Sequence, residues 1–370
     1  MMQWDALVRA VRQEQPACRV AVVDGPAPLL GTRLVVGPSA DDALPALELT
    51  ADATGLAREA LADGRPRLAQ VGELRIYAEP VLPPPRLIVA GGGHVALALA
   101  PAALAAGFRV TVIDDRPDFA RPERFPGCTV MCGEPPVVLA ELRPDATTFI
   151  VLAGRTHEKD KEALRASVQL PSAYLGMMGS RRKVMTLQKE LLEGGEATPW
   201  AMEKLRAPIG LDIGAETPAE IAVAIVAELI AVRRGGSGVP LARTPGAPGG
   251  GGAPVAREGG VPAGTVEGQQ VWAALAEAIG RGEPCALATI LAVRGSTPRS
   301  AGACMLVRAD GSTVGSVGGG KWESEIRRLA IQTIAQNRPT LFQPHYLDES
   351  DMICGGSAEV FIEPIPGRNA

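Results

Sequence analysis

Aromatic side chains make up only 4% of this 370-residue chain, and histidine occurs three times. So few rings leave little for bases to stack on, and a formal net charge of −4 presents no basic face to a phosphate backbone. An extended nucleic-acid interface is therefore excluded. Long apolar runs are also missing. The longest, IAVAIVAELIAV from Ile221 to Val232, is interrupted by Glu228 and reads as a buried helix, not a membrane span. The opening MMQWDALVRAVRQEQ is amphipathic and lacks the apolar core of a secretory signal. Cysteine is sparse: Cys18, Cys128, Cys132, Cys285, Cys304 and Cys354 show neither zinc-ligand spacing nor a disulfide framework, so a reducing cytoplasm is the expected compartment. The composition, 46% hydrophobic and 21% charged, is that of a globular protein with room for two or three domains.

Glycine and proline, by contrast, are plentiful, and they concentrate in one place. The segment 234–268 contains GGSGVPLARTPGAPGGGGAPVAREGGVPAG, which cannot build a core and reads as a flexible linker. Upstream, over residues 86–233, RLIVA, GGGHVALALAPAALAAG and RVTVIDD give strand, glycine turn, helix and strand. Further apolar runs at CTVMC, TFIVLAG and AYLGMMG extend this βαβ unit into a doubly wound, Rossmann-like parallel sheet. Its last helix is announced by Thr217 and Glu220 in a capping box, Pro218 at the first helical position and Gly235 beyond the end.

Gly91, Gly93 and Ala96 form GxGxxA at the first strand-to-helix turn, and Asp114 ends the next strand. The first glycine permits the tight turn, the second lets a pyrophosphate approach the backbone, and the acid is placed for a ribose hydroxyl. Arg116 leaves a preference for NADP over NAD open. A Rossmann domain that has lost its nucleotide is the alternative, because fold does not imply function. His94 either touches a phosphate or caps the turn. His157, in GRTHEKD after the fourth strand, is a candidate proton carrier that Asp160 is close enough to orient. MMGSRRKV, Met177 to Val184, reads either as a second anion contact or as solvated charge at a helix start.

Downstream, over residues 269–366, the alternating stretches ALATILAV, ACMLVRA and AEVFIEPI read as a small sheet carrying three permissive loops, with a helix from about Trp322 to Gln336. The loops are RGSTPRSAG (Arg294 to Gly302), SVGGGKWESE (Ser316 to Glu325) and MICGGSAE (Met352 to Glu359). Gly318, Gly319 and Gly320 offer N–H groups before a helix start, where an anion is favoured, with Arg294, Arg299 and Lys321 nearby in sequence. Cys354, followed by Gly355 and Gly356, suits contact with a metal or sulfur centre. Each signal has an ordinary reading as a turn, a small buried thiol or solvated charge. Their combination favours a ligand.

Residues 1–85 repeat this α+β domain in reduced form. WDALVRAVRQEQPACRVAVV parallels VWAALAEAIGRGEPCALATI, pairing Trp4 with Trp272 and Cys18 with Cys285. GTRLVV parallels GACMLV, and ELRIYAEPVLP parallels AEVFIEPIPG. The first copy lacks the RGSTPR, GGGK and CGG segments.

These motifs resemble the XdhC/CoxI family, accessory proteins of xanthine dehydrogenase and related molybdenum hydroxylases. RGSTPRSAG, GSVGGG and ICGGSAEVFIEP resemble its ligand-handling domain, while LPPPRLIVAGGGHVA, VTVIDDRPDFARPERFP, YLGMMGSRRKV and APIGLDIGAETPAEIAVAIVAE resemble its Rossmann domain. Two departures stand out: the complete ligand-handling copy follows the Rossmann part instead of preceding it, and Lys321 stands where many members carry Cys or a small residue. The resemblance implies a chaperone that binds molybdenum cofactor (molybdopterin), protects it during its sulfuration, and inserts it into an apo hydroxylase such as xanthine dehydrogenase, with a cysteine desulfurase as a further partner. On this reading Gly318 to Gly320 with Arg294, Arg299 or Lys321 meet the pterin phosphate, and Cys354 meets the molybdenum-dithiolene group. Ser296 and Thr297 meet the pterin edge, and Glu323 holds Lys321 or accepts from a pterin N–H. The rivals are an NAD(P)-dependent oxidoreductase using His157 and a non-catalytic nucleotide sensor. The long linker also suggests a homodimer with exchanged partners.

Overall fold

The computed structural model describes residues 2–37, 40–41, 50–240, 264–294, 297, 299–343 and 357–367; Ser296, Cys354, Gly355 and Gly356 lie outside these. Two compact units result, one uniting Met1–Pro83 with Gly264–Ala370 and the other formed by Pro84–Val239. No helix among the described residues is long and apolar enough to cross a membrane.

The first unit begins with α1 (Met2–Arg12), β1 (Ala17–Asp24), β2 (Arg33–Gly37), β3 (Ala40–Asp41), α2 (Thr50–Asp63), β4 (Arg67–Val71) and β5 (Leu74–Val81). Its antiparallel sheet is ordered β3-β2-β1-β5-β4.

The second unit runs β6 (Arg86–Ala90), α3 (His94–Ala105), β7 (Arg109–Asp114), β8 (Thr129–Cys132), α4 (Pro135–Glu141), β9 (Phe149–Leu152), α5 (His157–Val168), β10 (Tyr174–Met177), α6 (Arg181–Glu193), α7 (Pro199–Glu203), β11 (Leu205–Arg206) and α8 (Pro218–Arg234). Its six strands are ordered β11-β10-β9-β6-β7-β8, all parallel, as in a doubly wound Rossmann sheet. Successive residues of β6 supply opposite faces. Ile88 packs with Leu139, Leu164 and Leu187 of α4, α5 and α6, whereas Leu87 and Val89 pack with Leu99 of α3 and Ile225 and Leu229 of α8. Burial on both faces explains why these strands read as continuous apolar runs. The capping box of Thr217 and Glu220 closes the start of α8, and Gly235, at φ 65°, ends it in the left-handed region.

The first unit is completed by α9 (Val266–Arg281), β12 (Cys285–Arg294), β13 (Cys304–Arg308), β14 (Thr313–Gly315), α10 (Gly320–Gln336), β15 (Thr340–Phe342) and β16 (Ser357–Ile365). The segment that reads as linker by composition gives way to order before residue 268: Thr265 accepts from the Gly268 N–H at 3.0 Å and starts α9.

The sheet β14-β13-β12-β16-β15 repeats the strand order of β3-β2-β1-β5-β4 element for element. Each copy also touches the other in the same way. A Cβ on Gly31 would stand 2.7 Å from Pro339, and one on Gly302 would stand 3.1 Å from Pro66. The two segments therefore meet as an isologous pair does, within one chain. The ladders correct one detail of the sequence alignment. Glu79 lies opposite Arg19, and Glu363 lies opposite Leu287, so Cys18 corresponds to Ala286 and Cys285 to Ala17. One residue in a strand changes the face, and Ala17 and Cys285 accordingly share a core cluster that excludes Cys18.

At the centre of this pair lies a buried ionic network. Arg19 donates to Glu79 at 2.6 Å and to Glu363, and Arg33 donates to the other oxygen of Glu363 at 2.6 Å. Glu363 thus takes both of its cations from the other copy. Arg75 and Glu359 add a bidentate pair between β5 and β16, at 2.6 and 2.9 Å.

Candidate functional site

The order of the parallel sheet reverses between β6 and β9, and a crevice opens beyond the strand ends at such a point. A cavity of about 390 Å³ lies there, and its lining includes Gly91, Gly93, His94, Asp114, Arg116 and Arg155. The four positions expected from the glycine signature, Gly91, Gly93, His94 and Asp114, are therefore brought together. Each glycine has its own reason. Gly91 has φ +124°, and a Cβ on it would lie 2.1 Å from the carbonyl oxygen of Ala153 at the end of β9. Gly93 has open space where a Cβ would be, and it starts α3 without a side-chain cap. His94, Val95 and Ala96 of the first turn line the cavity. The N–H groups there have no partner within the helix, and the helix dipole favours an anion, which fits the pyrophosphate of a dinucleotide.

Asp114 is buried at the end of β7 and braces the turn. Its carboxylate accepts from the Gly92 N–H at 2.7 Å, from the Arg116 N–H at 3.0 Å, and from Arg116 Nε and Nη2 at 2.8 and 2.9 Å. Burial alone would raise its pKa, but the Arg116 guanidinium and the two backbone donors outweigh burial and hold it below the usual carboxylate value. Asp115 is engaged by Arg155 at 2.9 and 3.1 Å and lies 3.7 Å from Lys159.

His157 is not in this cavity. It begins α5 and turns to Glu190 of α6, both of whose oxygens are 3.2 Å from Nε2. Asp160, expected to orient it, instead pairs with Lys183 from the MMGSRRKV segment. Sequence proximity suggested the wrong partner because α5 and α6 place their own residues opposite one another. From the same GRTHEKD segment, Arg155 and Lys159 do line the cavity, as does Phe119. No local pattern singles out Phe119, which reaches the cavity through the fold alone; for Arg155 the signal was its place directly after the strand end.

In the other unit, the register pairs Arg294 at the end of β12 with Ser357 at the start of β16. Arg294 is exposed there. Thr297 donates its hydroxyl to the Arg299 carbonyl at 2.8 Å. Arg299 grips Glu267 at 2.5 and 2.7 Å, and it also lies within the field of Glu323.

The glycine turn departs from expectation in one respect. Gly318, Gly319 and Gly320 all have positive φ, at 138°, 79° and 65°, and open space surrounds the Cβ positions of Gly319 and Gly320. Yet the turn already holds a carboxylate. Glu323 accepts from Ser316 Oγ at 2.5 Å and from the N–H groups of Val317 and Gly319 at 3.2 and 3.1 Å, while the Gly318 N–H goes to Ser316 Oγ. Burial works to raise the Glu323 pKa, but these donors prevail and lower it. The expected unhindered amides of Gly318 and Gly319 are thus engaged, because an acid in the first turn of α10 is the nearest anion to them. A ligand phosphate has to share them with Glu323. Lys321 is exposed in that same first turn.

Residues 87–229 match the XdhC Rossmann domain, and residues 278–344 match the XdhC and CoxI family. Over 158 residues the chain is 38% identical to the "Uncharacterized protein YqeB" of Escherichia coli (strain K12), covering 42% of this chain and 28% of that protein. Over 160 residues it is 31% identical to a probable xanthine dehydrogenase subunit of Bacillus subtilis (strain 168), covering 43% of this chain and 46% of that protein. The matched segments span less than half the length of each relative. A crystal structure described as a xanthine dehydrogenase from Bacillus halodurans is 19% identical, with a TM-score of 0.38, over 61% of this chain and 92% of that one. The parallel-sheet unit and the glycine-loop segment each carry their own family match, together over more than half of the chain, and the chain belongs to the XdhC and CoxI family.

Proposed function

We propose that this protein is an accessory factor for a xanthine dehydrogenase or related molybdenum hydroxylase, and that it binds molybdenum cofactor and delivers it after sulfuration. The observation that carries this reading is the family match over residues 278–344, which contain both the RGSTPR loop and the glycine turn. The chemistry of the loops agrees. Arg294 is an exposed cation, and the open Gly319 and Gly320 admit a ligand close to the backbone. The cofactor is cargo, so it must be held weakly enough to be released.

Anaerobic gel filtration with purified molybdenum cofactor tests this. Pterin and molybdenum are expected in the protein peak in equal amounts. Arg294→Ala should lower retention about tenfold if a charge-assisted contact to the pterin phosphate is lost. Absence of cofactor from the wild-type peak would overturn the proposal. Cys354→Ala, in the same assay, decides whether a thiol contributes.

The cavity beside Gly91 favours a second, compatible reading, that the parallel-sheet unit binds a dinucleotide. With His157 facing Glu190 outside the lining, a sensor accounts for the geometry better than an oxidoreductase using that histidine. His157→Gln is accordingly expected to leave dinucleotide affinity within about twofold, the scatter of substitutions remote from a site. A tenfold loss by isothermal titration calorimetry would contradict this.

A further inference from the structure

We propose that the cavity beside Gly91 selects a dinucleotide whose adenosine ribose carries a 2′-phosphate, with Arg116 as the residue that selects it; this rests on the reading of that cavity as a nucleotide site. An acid at the end of the second strand ordinarily accepts from a ribose 2′-hydroxyl. Asp114 stands there, but four donors already reach its carboxylate: the N–H groups of Gly92 and Arg116, and Nε and Nη2 of the Arg116 side chain. A carboxylate offers about four lone-pair positions, so a ribose hydroxyl has to displace one of these donors. Asp114 serves as a brace for the turn and a counter-charge for Arg116.

The guanidinium is set for a different contact. It lies 3.4 Å from the centroid of the Phe119 ring, and 32% of the Arg116 side chain is exposed. Nε and Nη2 hold Asp114, while Nη1 has no protein partner among the described residues. Arg124 approaches the same ring at 4.7 Å and donates to the Phe119 carbonyl at 2.8 Å, so two guanidinium groups share one aromatic support. The acids around them are largely matched. Asp115 is engaged by Arg155 and Lys159, Glu123 lies 3.6 Å from Arg121, and only Asp118 is exposed without such a pair among the described residues. A dianionic phosphate therefore meets Arg116 and Arg124 on their shared Phe119 support, while Arg155 and Lys159 are committed to Asp115 and Glu134. A bare ribose offers Arg116 only a neutral hydroxyl acceptor and no charge.

Isothermal titration calorimetry on the full chain with two ligand pairs tests this: NADP+ against NAD+, and adenosine 2′,5′-bisphosphate against 5′-AMP. The 2′-phosphorylated member of each pair should bind at least about tenfold more tightly, with an advantage that shrinks as salt rises. Arg116→Ala should erase the preference, loosening NADP+ about tenfold and tightening NAD+ because Asp114 regains acceptor capacity. Arg124→Ala leaves the Asp114 brace intact and should reduce the preference by a few fold. Equal affinities in the wild type, or tighter NAD+, would overturn the specificity while leaving a nucleotide site in place. Failure of both members to bind would overturn the nucleotide reading itself, and this inference with it.

Discussion

Gly91→Ala is expected to destabilise the parallel-sheet unit by about 3 kcal/mol or more, combining backbone strain with overpacking. The added methyl would stand 2.1 Å from Ala153 O and 2.7 Å from its carbonyl carbon, at a φ of +124° that alanine adopts only under strain. Neither side can retreat. The Gly91 N–H is bonded to Ile113 O at 2.7 Å, and the Ala153 N–H to Ala90 O at 2.8 Å, so moving apart means breaking the ends of three adjacent strands. A drop of about 10 °C in the melting transition of that unit should follow, given how melting temperature scales with stability in domains of this size. Gly93→Ala is the control. At φ −73° with no atom within 4 Å of the new methyl, it should leave stability within about 0.5 kcal/mol. It would nevertheless place that methyl where the backbone meets a ligand phosphate, and should cost nucleotide affinity. If the two variants melt together, the close approach of β6 and β9 is not what the first glycine serves.

Arg19→Leu should have a comparable effect on the other unit, about 3–5 kcal/mol, the cost of stranding buried charges. Leucine suits the site in shape, because Leu287 occupies the equivalent position in the second copy. The damage is electrostatic: Glu79 loses its partner, and Glu363 keeps only Arg33. The pH dependence identifies the cause. In the native protein, burial pushes the Glu79 pKa up and Arg19 holds it back. Without Arg19 the folded-state value rises further above the unfolded one. Stability tied to a raised carboxyl pKa is present below the unfolded value and is lost as pH rises through the folded one. The deficit of the variant relative to wild type should therefore shrink as pH falls from about 7.5 toward 5, as read from urea unfolding at each pH. A deficit below about 1 kcal/mol, or one that widens in acid, would show that the network does not hold the two copies together.

Much of this architecture could be read along the chain, because it is written in local patterns. The βαβ turn, the capping box at Thr217, the glycine stop at Gly235 and the helix now placed at Gly320–Gln336 all depend on neighbours a few residues apart. What escaped depends on partners far apart. Nothing near Arg19 indicates that its charge is met 344 residues later by Glu363. His157 and Asp160 share a helix turn, and only the packing of α5 on α6 separates them, sending one to Glu190 and the other to Lys183. The glycine turn reads as a nest for an anion. That Glu323 settles in it depends on the exact start of α10. The Cys18 and Cys285 alignment erred by one residue, since matching letters outweighed the register that the Glu79 and Glu363 ladders enforce.

The split of the first unit across both ends of the chain bears on how the protein is made. During synthesis the α1–β5 segment emerges before the rest of its unit, carrying Arg19 and Glu79 without the Glu363 that completes their network. The parallel-sheet unit between them is continuous in sequence and can close as soon as α8 emerges, whereas the outer unit has to wait for β16, which follows α8 in sequence. The contact between Arg19 and Glu363, separated by 344 residues, carries a loop-closure cost until the intervening domain has folded. The order of assembly thus runs from the middle outward, and the nascent N-terminal sheet is the part that most needs shielding before its twin arrives.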